Sequence, residues 1–168
     1  MNKMREIRIE KVTLNIGAGE AGAKLEKGMK LLEKLTNSKP VKTKTQKRIP
    51  TWGVRPGLEI GAKVTLRRKK IELIKKLLAS IGNKLKSTQI NNGTFSFGIH
   101  EYIDIPGFDY IAEIGIIGFE VAVTLQRPGF RIKRRSIKTK KIPKKHDITK
   151  EETIEFVKNN FNTKIIEE

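Results

Sequence analysis

Ile7-Arg-Ile-Glu-Lys-Val-Thr-Leu-Asn-Ile16, followed at once by Gly17-Ala-Gly-Glu-Ala-Gly22, sets the architecture. Apolar and polar residues alternate with period two, which marks a strand with one face in a core and the other in water. The phase slips between Ile9 and Val12, so a bulge or break is expected near Glu10. The glycine-rich turn then leads into residues 23–35, where Leu25, Met29, Leu32 and Leu35 share one helical face. Asn37-Ser-Lys-Pro40 stops that helix. A strand that is wet on one side belongs to an antiparallel sheet rather than a buried parallel one.

The pattern repeats outward from this core. Residues 41–47 (VKTKTQK) are β-branched and polar without a helical period, predicting an edge-like strand. Residues 49–61 (IPTWGVRPGLEIG) carry two prolines and three glycines and read as a loop. Residues 62–67 alternate as a strand, and Ile71, Ile74, Leu77, Leu78 and Ile81 form a helical stripe that ends at Gly82. Residues 94–99 alternate again, residues 102–108 are irregular around Pro106-Gly107, and Phe119, Val121, Val123 and Leu125 line one side of a further strand. A hairpin is expected around Pro128-Gly129, and Thr149 with Glu152 gives the capping-box pattern of a last helix bearing Ile154, Val157 and Phe161. The expected fold is α+β: a mostly antiparallel sheet of about five strands, helices packed on one face, the other face polar and basic. Residues 1–168 are expected to form a single domain, with a basic loop at 48–61 and a basic insertion at 127–148.

Charge bounds the function. Thirty-six Lys and Arg against 18 Asp and Glu give a formal net charge of +18. The excess sits in two segments. Residues 38–70 hold eleven cations and one acid, Glu59; residues 127–150 hold eleven cations and one acid, Asp147. The remainder is balanced. Solvated surfaces intersperse both signs, so two such segments mark a grip on a polyanion, and neither has the amphipathic helix that a membrane surface needs. The chain has no Cys and only two His, His100 and His146, which excludes disulfides, thiolate sites and multi-histidine metal sites. No cofactor or metal is expected. No apolar run approaches a membrane span and no signal stretch opens the chain, so a cytoplasmic, soluble protein is expected.

The wet positions of the strands form one candidate surface. Lys11, Thr13 and Asn15 come from the first strand. Residues 41–47 offer Lys42, Lys44 and Gln46 in one phase, or Thr43, Thr45 and Lys47 in the other, with Arg48 beyond. Lys63, Thr65 and Arg67 come from the third strand, with Arg68 beyond its end, and Thr94 and Ser96 from the fourth. Hydroxyls and amides bond phosphate and 2′-hydroxyl oxygens while Lys and Arg supply charge. The strand positions carry no exposed aromatic, which favours a folded RNA backbone over splayed bases. Thr and Lys are also ordinary on the wet side of any antiparallel sheet.

Other chemistries are weak. Gly17-Ala-Gly19-Glu-Ala-Gly22 fits the dinucleotide fingerprint G-x-G-x-x-G, but no acid follows about 20 residues later and residues 41–47 are too polar for the buried parallel strand it requires. His100, Glu101, Tyr102 and Asp104 lie together in sequence without a nucleophile or phosphate loop, so no enzyme is expected. A general nucleic-acid chaperone is the remaining rival, and it predicts equal affinity for any RNA of similar length.

Taken in order, Ile9-Glu-Lys-Val-Thr-Leu-Asn-Ile-Gly-Ala-Gly-Glu20, Lys39-Pro-Val-Lys-Thr-Lys-Thr-Gln-Lys-Arg48, Gly57-Leu-Glu-Ile-Gly-Ala-Lys-Val-Thr-Leu-Arg67, Phe95-Ser-Phe-Gly-Ile-His-Glu101 and Ile105-Pro-Gly-Phe-Asp-Tyr110 resemble the family of large-subunit ribosomal protein five, which binds 5S ribosomal RNA. The resemblance covers about residues 6–126. The basic insertion departs from the bacterial pattern and looks archaeal or eukaryotic. The resemblance implies a sheet seated in the central protuberance that holds 5S rRNA among the large-subunit rRNA. It places Asn15, Lys63 and Thr65 on RNA-facing strands, with Lys42, Lys44 and Lys47 beside them. It implies that the loop carrying Pro50, Thr51, Trp52, Gly53, Val54, Arg55 and Pro56 reaches toward the peptidyl-site transfer RNA. It sets residues 102–110 near a bridge to a small-subunit ribosomal protein. Trp52 either stacks on a nucleotide, packs on the transfer-RNA elbow or tucks under its own chain. The insertion is too polar to bury, and is expected to be mobile alone and ordered against phosphates.

Overall fold

The computed structural model describes residues 2–67 and 71–166. The strands are β1 (Arg8–Gly17), β2 (Val41–Lys44), β3 (Glu59–Arg67), β4 (Lys84–Lys86), β5 (Ile90–Asn91), β6 (Thr94–Ile99), β7 (Phe119–Gln126) and β8 (Lys164–Ile166). The helices are α1 (Ala23–Thr36), α2 (Ile71–Ser80), α3 (Arg131–Arg134) and α4 (Lys150–Phe161). Six strands form an antiparallel sheet in the order β2-β3-β1-β7-β6-β5, and β4 and β8 form a parallel pair. The α+β class holds, with one strand more in the main sheet than the periodicity counts. Contacts divide the chain into two compact units, one of residues 13–66 and 98–121, the other of residues 1–12, 67–97 and 122–168.

In the first unit, α1 buries Leu25, Leu31, Leu32 and Leu35 as its period demands, while Met29 is only half-buried. Gly28 lets the helix lie close on β1, where any Cβ would sit 3.1 Å from Ile16 Cγ2. Asn37 ends the helix at φ +49°, its N–H donating to Glu33 O at 2.8 Å. β2 is shorter than the expected strand over 41–47, and β3 begins at Glu59 rather than at residue 62. The two discrepancies have one cause. The β2–β3 hairpin slips register between Thr43 and Lys44, after which single bonds, Thr45 N–H to Leu58 O and Gly57 N–H to Thr45 O, close it. The irregular segment after β6 is anchored by buried Tyr102, Ile105 and Ile114, with Tyr102 Oη accepting the Ile111 N–H at 2.8 Å.

In the second unit, Ile74, Leu77 and Leu78 of α2 are fully buried; the side chain of Ile71 lies outside the described residues. β5 and β6 pair across Asn92-Gly93, with Gly93 at φ +69°. Asn92 keeps a negative φ, so the turn puts its one left-handed residue at Gly93, where no Cβ opposes it. The capping box forms as expected: Glu152 N–H donates to Thr149 Oγ1 and Thr149 N–H to Glu152 Oε2. α4 buries Thr153, Val157 and Phe161, and Ile154 is half-buried. The expected hairpin at Pro128-Gly129 does not form. The chain turns there into α3, because residues 131–135 offer no alternating apolar face to pair with β7.

Candidate nucleic-acid interface

β1 runs unbroken from Arg8 to Gly17, and strict alternation begins at Val12. Val12, Leu14 and Ile16 are buried, and Lys11, Thr13 and Asn15 are half-exposed between them. On β3, Val64 and Leu66 are buried, Lys63 and Arg67 exposed, and Thr65 half-exposed. On β6, Thr94 and Ser96 are exposed between buried Phe95 and Phe97. The strand phase expected for these residues is therefore observed. Thr13, Asn15, Lys63 and Thr65 fall in the first unit; Lys11, Arg67, Thr94 and Ser96 fall in the second. Arg68, with Lys69 and Lys70, lies outside the described residues.

The pairing of the edge strand decides between its two phases. Val41 stands opposite Lys63, Thr43 opposite Gly61 and Lys42 opposite Ala62. Paired residues share a face, so Val41 and Thr43 lie on the side of Lys63, whereas Lys42 shares the side of buried Ala62. Lys42 and Lys44 instead bracket Glu59, at 3.3 and 3.9 Å. The lone acid of the first basic segment is thereby occupied by its own lysines. Thr45 is committed too: its hydroxyl donates to Arg55 O at 2.5 Å and clasps the base of the loop. Lys47 and Arg48 remain exposed beyond the strand.

The loop is a compact clip. Ile49 and Val54 exchange backbone hydrogen bonds of 2.9 and 3.1 Å around a 3-10 turn, Pro50–Trp52, with Gly53 at φ +63°. Val54 is buried as the anchor, while Trp52 is 75% exposed; Thr51, Arg55 and Pro56 are exposed with it. Trp52 is thus not tucked under its own chain. A hollow of about 500 Å³ opens beside it, walled by Asn15, Thr43, Thr45, Gln46, Lys47 and Trp52. Among the described residues, Lys63 and Arg67 form no ion pair and the side chains of Thr13, Asn15 and Thr65 have no hydrogen-bond partner, so this surface holds uncommitted donors.

The second basic segment is not uniformly free. Arg127 is 5% exposed. Its guanidinium donates to Arg5 O at 3.2 Å, His146 O at 3.2 Å, Asp147 O at 3.0 Å and Glu152 Oε1 at 2.6 Å. It is a structural cation, a role no local sequence signal marks. Burial pushes the Glu152 carboxyl up, but the Thr149 N–H and the Arg127 guanidinium outweigh it and hold the group below its usual range. Arg134 pairs with Glu10 and Gln126. Residues 135–141 are all exposed.

The rival chemistries lose their geometry. The neighbours of β1 are β3 and β7, so the strand after α1 is not the parallel partner that a dinucleotide site requires. Gly19 and Gly22 take φ +77° and +139°, a turn only glycine adopts readily. Tyr102 is buried and bonded to the backbone, while His100, Glu101 and Asp104 are exposed, so they do not converge on a site.

Comparison with known proteins shows the family of the chain. The family model described as Ribosomal protein L5 matches residues 2–55, and a second model, for the C-terminus of the same ribosomal family, matches residues 59–156. The Large ribosomal subunit protein uL5 of Nanoarchaeum equitans is 51% identical over 165 residues, covering 97% of this chain and 98% of that one. The same-named protein of Sulfurisphaera tokodaii is 51% identical, covering 99% and 96%, and that of Methanobrevibacter smithii is 45% identical, covering all of both. These matches run through the basic insertion and α4, beyond the stretch over which the motifs alone are recognisable.

Proposed function

The chain belongs to the ribosomal protein L5 family, and from that membership we propose that its open strand face holds 5S ribosomal RNA. It is a structural protein of the large ribosomal subunit, not an enzyme, and it works among ribosomal RNA and proteins. The observation that carries the finer reading is the uncommitted face of Thr13, Asn15, Lys63 and Thr65, whose neighbouring acid Glu59 is neutralised by Lys42 and Lys44. Lysine sets attraction to phosphate; the hydroxyls and the amide set register and distinguish RNA from DNA through 2′-hydroxyl contacts. The exposed Trp52 and Arg55 suit contact with the peptidyl-site transfer RNA, and exposed Tyr110, at the end of residues 102–110, suits a small-subunit protein across the intersubunit bridge.

The test is a competition shift with labelled 5S rRNA against excess transfer RNA at moderate and high salt. Lys63→Glu with Thr65→Ala is expected to weaken 5S binding roughly tenfold to hundredfold, with the circular dichroism spectrum unchanged. Unchanged 5S affinity would mean that another face binds it. Equal displacement by any RNA would reduce the +18 charge to a non-specific field.

A further inference from the structure

We propose that the basic insertion is a second, preorganised RNA-backbone site, separate from the strand face, in which Lys133, Lys140 and Lys141 together clasp phosphates. Three observations support it. First, both ends of the segment are stapled. Arg127 bonds the backbone oxygens of His146 and Asp147, and His146 Nε2 lies 2.9 Å from Pro128 O. The His146 ring also packs edge-on against Phe130 at 5.8 Å. Second, the interior is shaped by its own hydrogen bonds. Arg135 Nε donates to Lys138 O at 2.8 Å, Thr139 Oγ1 to Arg135 O at 3.1 Å, and Lys140 N–H to Ile132 O at 3.3 Å. Lys138 takes φ +53° to make the reversal.

Third, the reversal encloses a hollow of about 440 Å³ lined by Lys133, Thr139, Lys140, Lys141, Ile142 and Asp147. Three lysines and one acid, Asp147, line it, and among the described residues none of the three lysines forms an ion pair. Like charges are held together at a cost in self-repulsion that an entering polyanion relieves. Ammonium groups serve phosphate as point charges and need no base geometry, so the site reads backbone rather than sequence. Ile132 and Ile137 are exposed nearby, but α3 is four residues long and gives no amphipathic helix for a lipid surface. The partner is therefore RNA.

The experiment uses the full chain and two probes, 5S rRNA and an unrelated RNA duplex of roughly 16 base pairs. The triple variant Lys133→Gln, Lys140→Gln, Lys141→Gln is compared with a charge-matched control, Lys27→Gln, Lys75→Gln, Lys76→Gln, drawn from exposed positions on α1 and α2. The insertion triple is expected to weaken duplex binding at least about tenfold at ~0.1 M salt and to flatten the log affinity–log salt slope by about 2–3. The control is expected to change affinity less than about threefold. The strand-face variant Lys63→Glu with Thr65→Ala is expected to leave duplex binding intact, which separates this site's failure from that of the 5S reading. Equal losses from both triples would overturn the proposal. So would retained duplex affinity in the insertion triple. Capture of the chain by phosphatidylserine vesicles at ~0.15 M salt, lost in that triple, would reassign the segment to a membrane and overturn it as well.

Discussion

Replacing Arg127 with Met tests whether a cation in a basic segment can belong to the core rather than to RNA. One guanidinium makes four hydrogen bonds, one of them to the Glu152 carboxylate at 2.6 Å, from a position 5% exposed. Removing one partner of a buried pair costs about 3–5 kcal/mol. Here the Glu152 side chain is 38% exposed and can rehydrate, as can the carbonyls of exposed Arg5 and Asp147, so the loss is smaller. About 2–4 kcal/mol is expected, a fall in Tm of roughly 5–12 °C at this chain length. Urea unfolding is the assay: the midpoint should drop with the slope unchanged. Arg127→Lys should recover only part, because an ammonium cannot fork toward four acceptors. Arg134→Met is the internal control. Its own side chain is 47% exposed but Glu10 is 12% exposed, so its loss should cost less than that of Arg127 because fewer acceptors are left unpaired. An Arg127→Met loss below ~1 kcal/mol would refute the buried-cation account.

The remaining expectations concern other elements. Gly118→Ala should destabilise by about 2 kcal/mol or more, because its Cβ would stand 2.6 Å from His100 O and 2.8 Å from Ile99 O, and backbone cannot swing aside; a thermal melt matching the parent would show that the strand relaxes freely. Glu152 has a depressed folded pKa, so its contribution is complete above the usual carboxylate value of 4.5 and vanishes as pH falls through the folded value. Glu152→Gln should therefore be less stable than the parent at neutral pH, with the gap closing below that value; a gap constant down to about pH 3 would be contrary. Trp52→Ala should leave stability within about 0.5 kcal/mol, since the ring is exposed, and leave 5S binding intact while weakening transfer-RNA placement in reconstituted subunits. A loss of 5S binding would move Trp52 into the 5S site.

Long periodic segments were legible: β1 from Val12, α1, α2, β6, β7 and the capped start of α4 all follow from spacing and end signals. Short ones were not. β4 and β8 are three residues each, and Leu85 alone of β4 is buried, so no period exists to read, and the parallel partner lies about 80 residues away. β5, only two residues long before Asn92-Gly93, gives no period to read either. The same limit governs the interface. Alternation put Lys63 and Thr65 on the wet side of β3, but a polar strand has no apolar phase to show which of its residues face the same way, and pairing opposite Ala62 sets Lys42 on the other side. Arg127 looked like its cationic neighbours because its four partners lie 19 to 122 residues distant.

The ends of the main sheet have a consequence for the protein before it is assembled. Its two outer strands are β2 and β5, four and two residues long. β2 carries lysines at 42 and 44. Exposed strand edges recruit other chains into aggregates, and short length and lysine are the usual protections. Both edges are thus too short to template a long strand of a sister copy, and a strand laid along β2 would have to pass the lysines that flank Glu59.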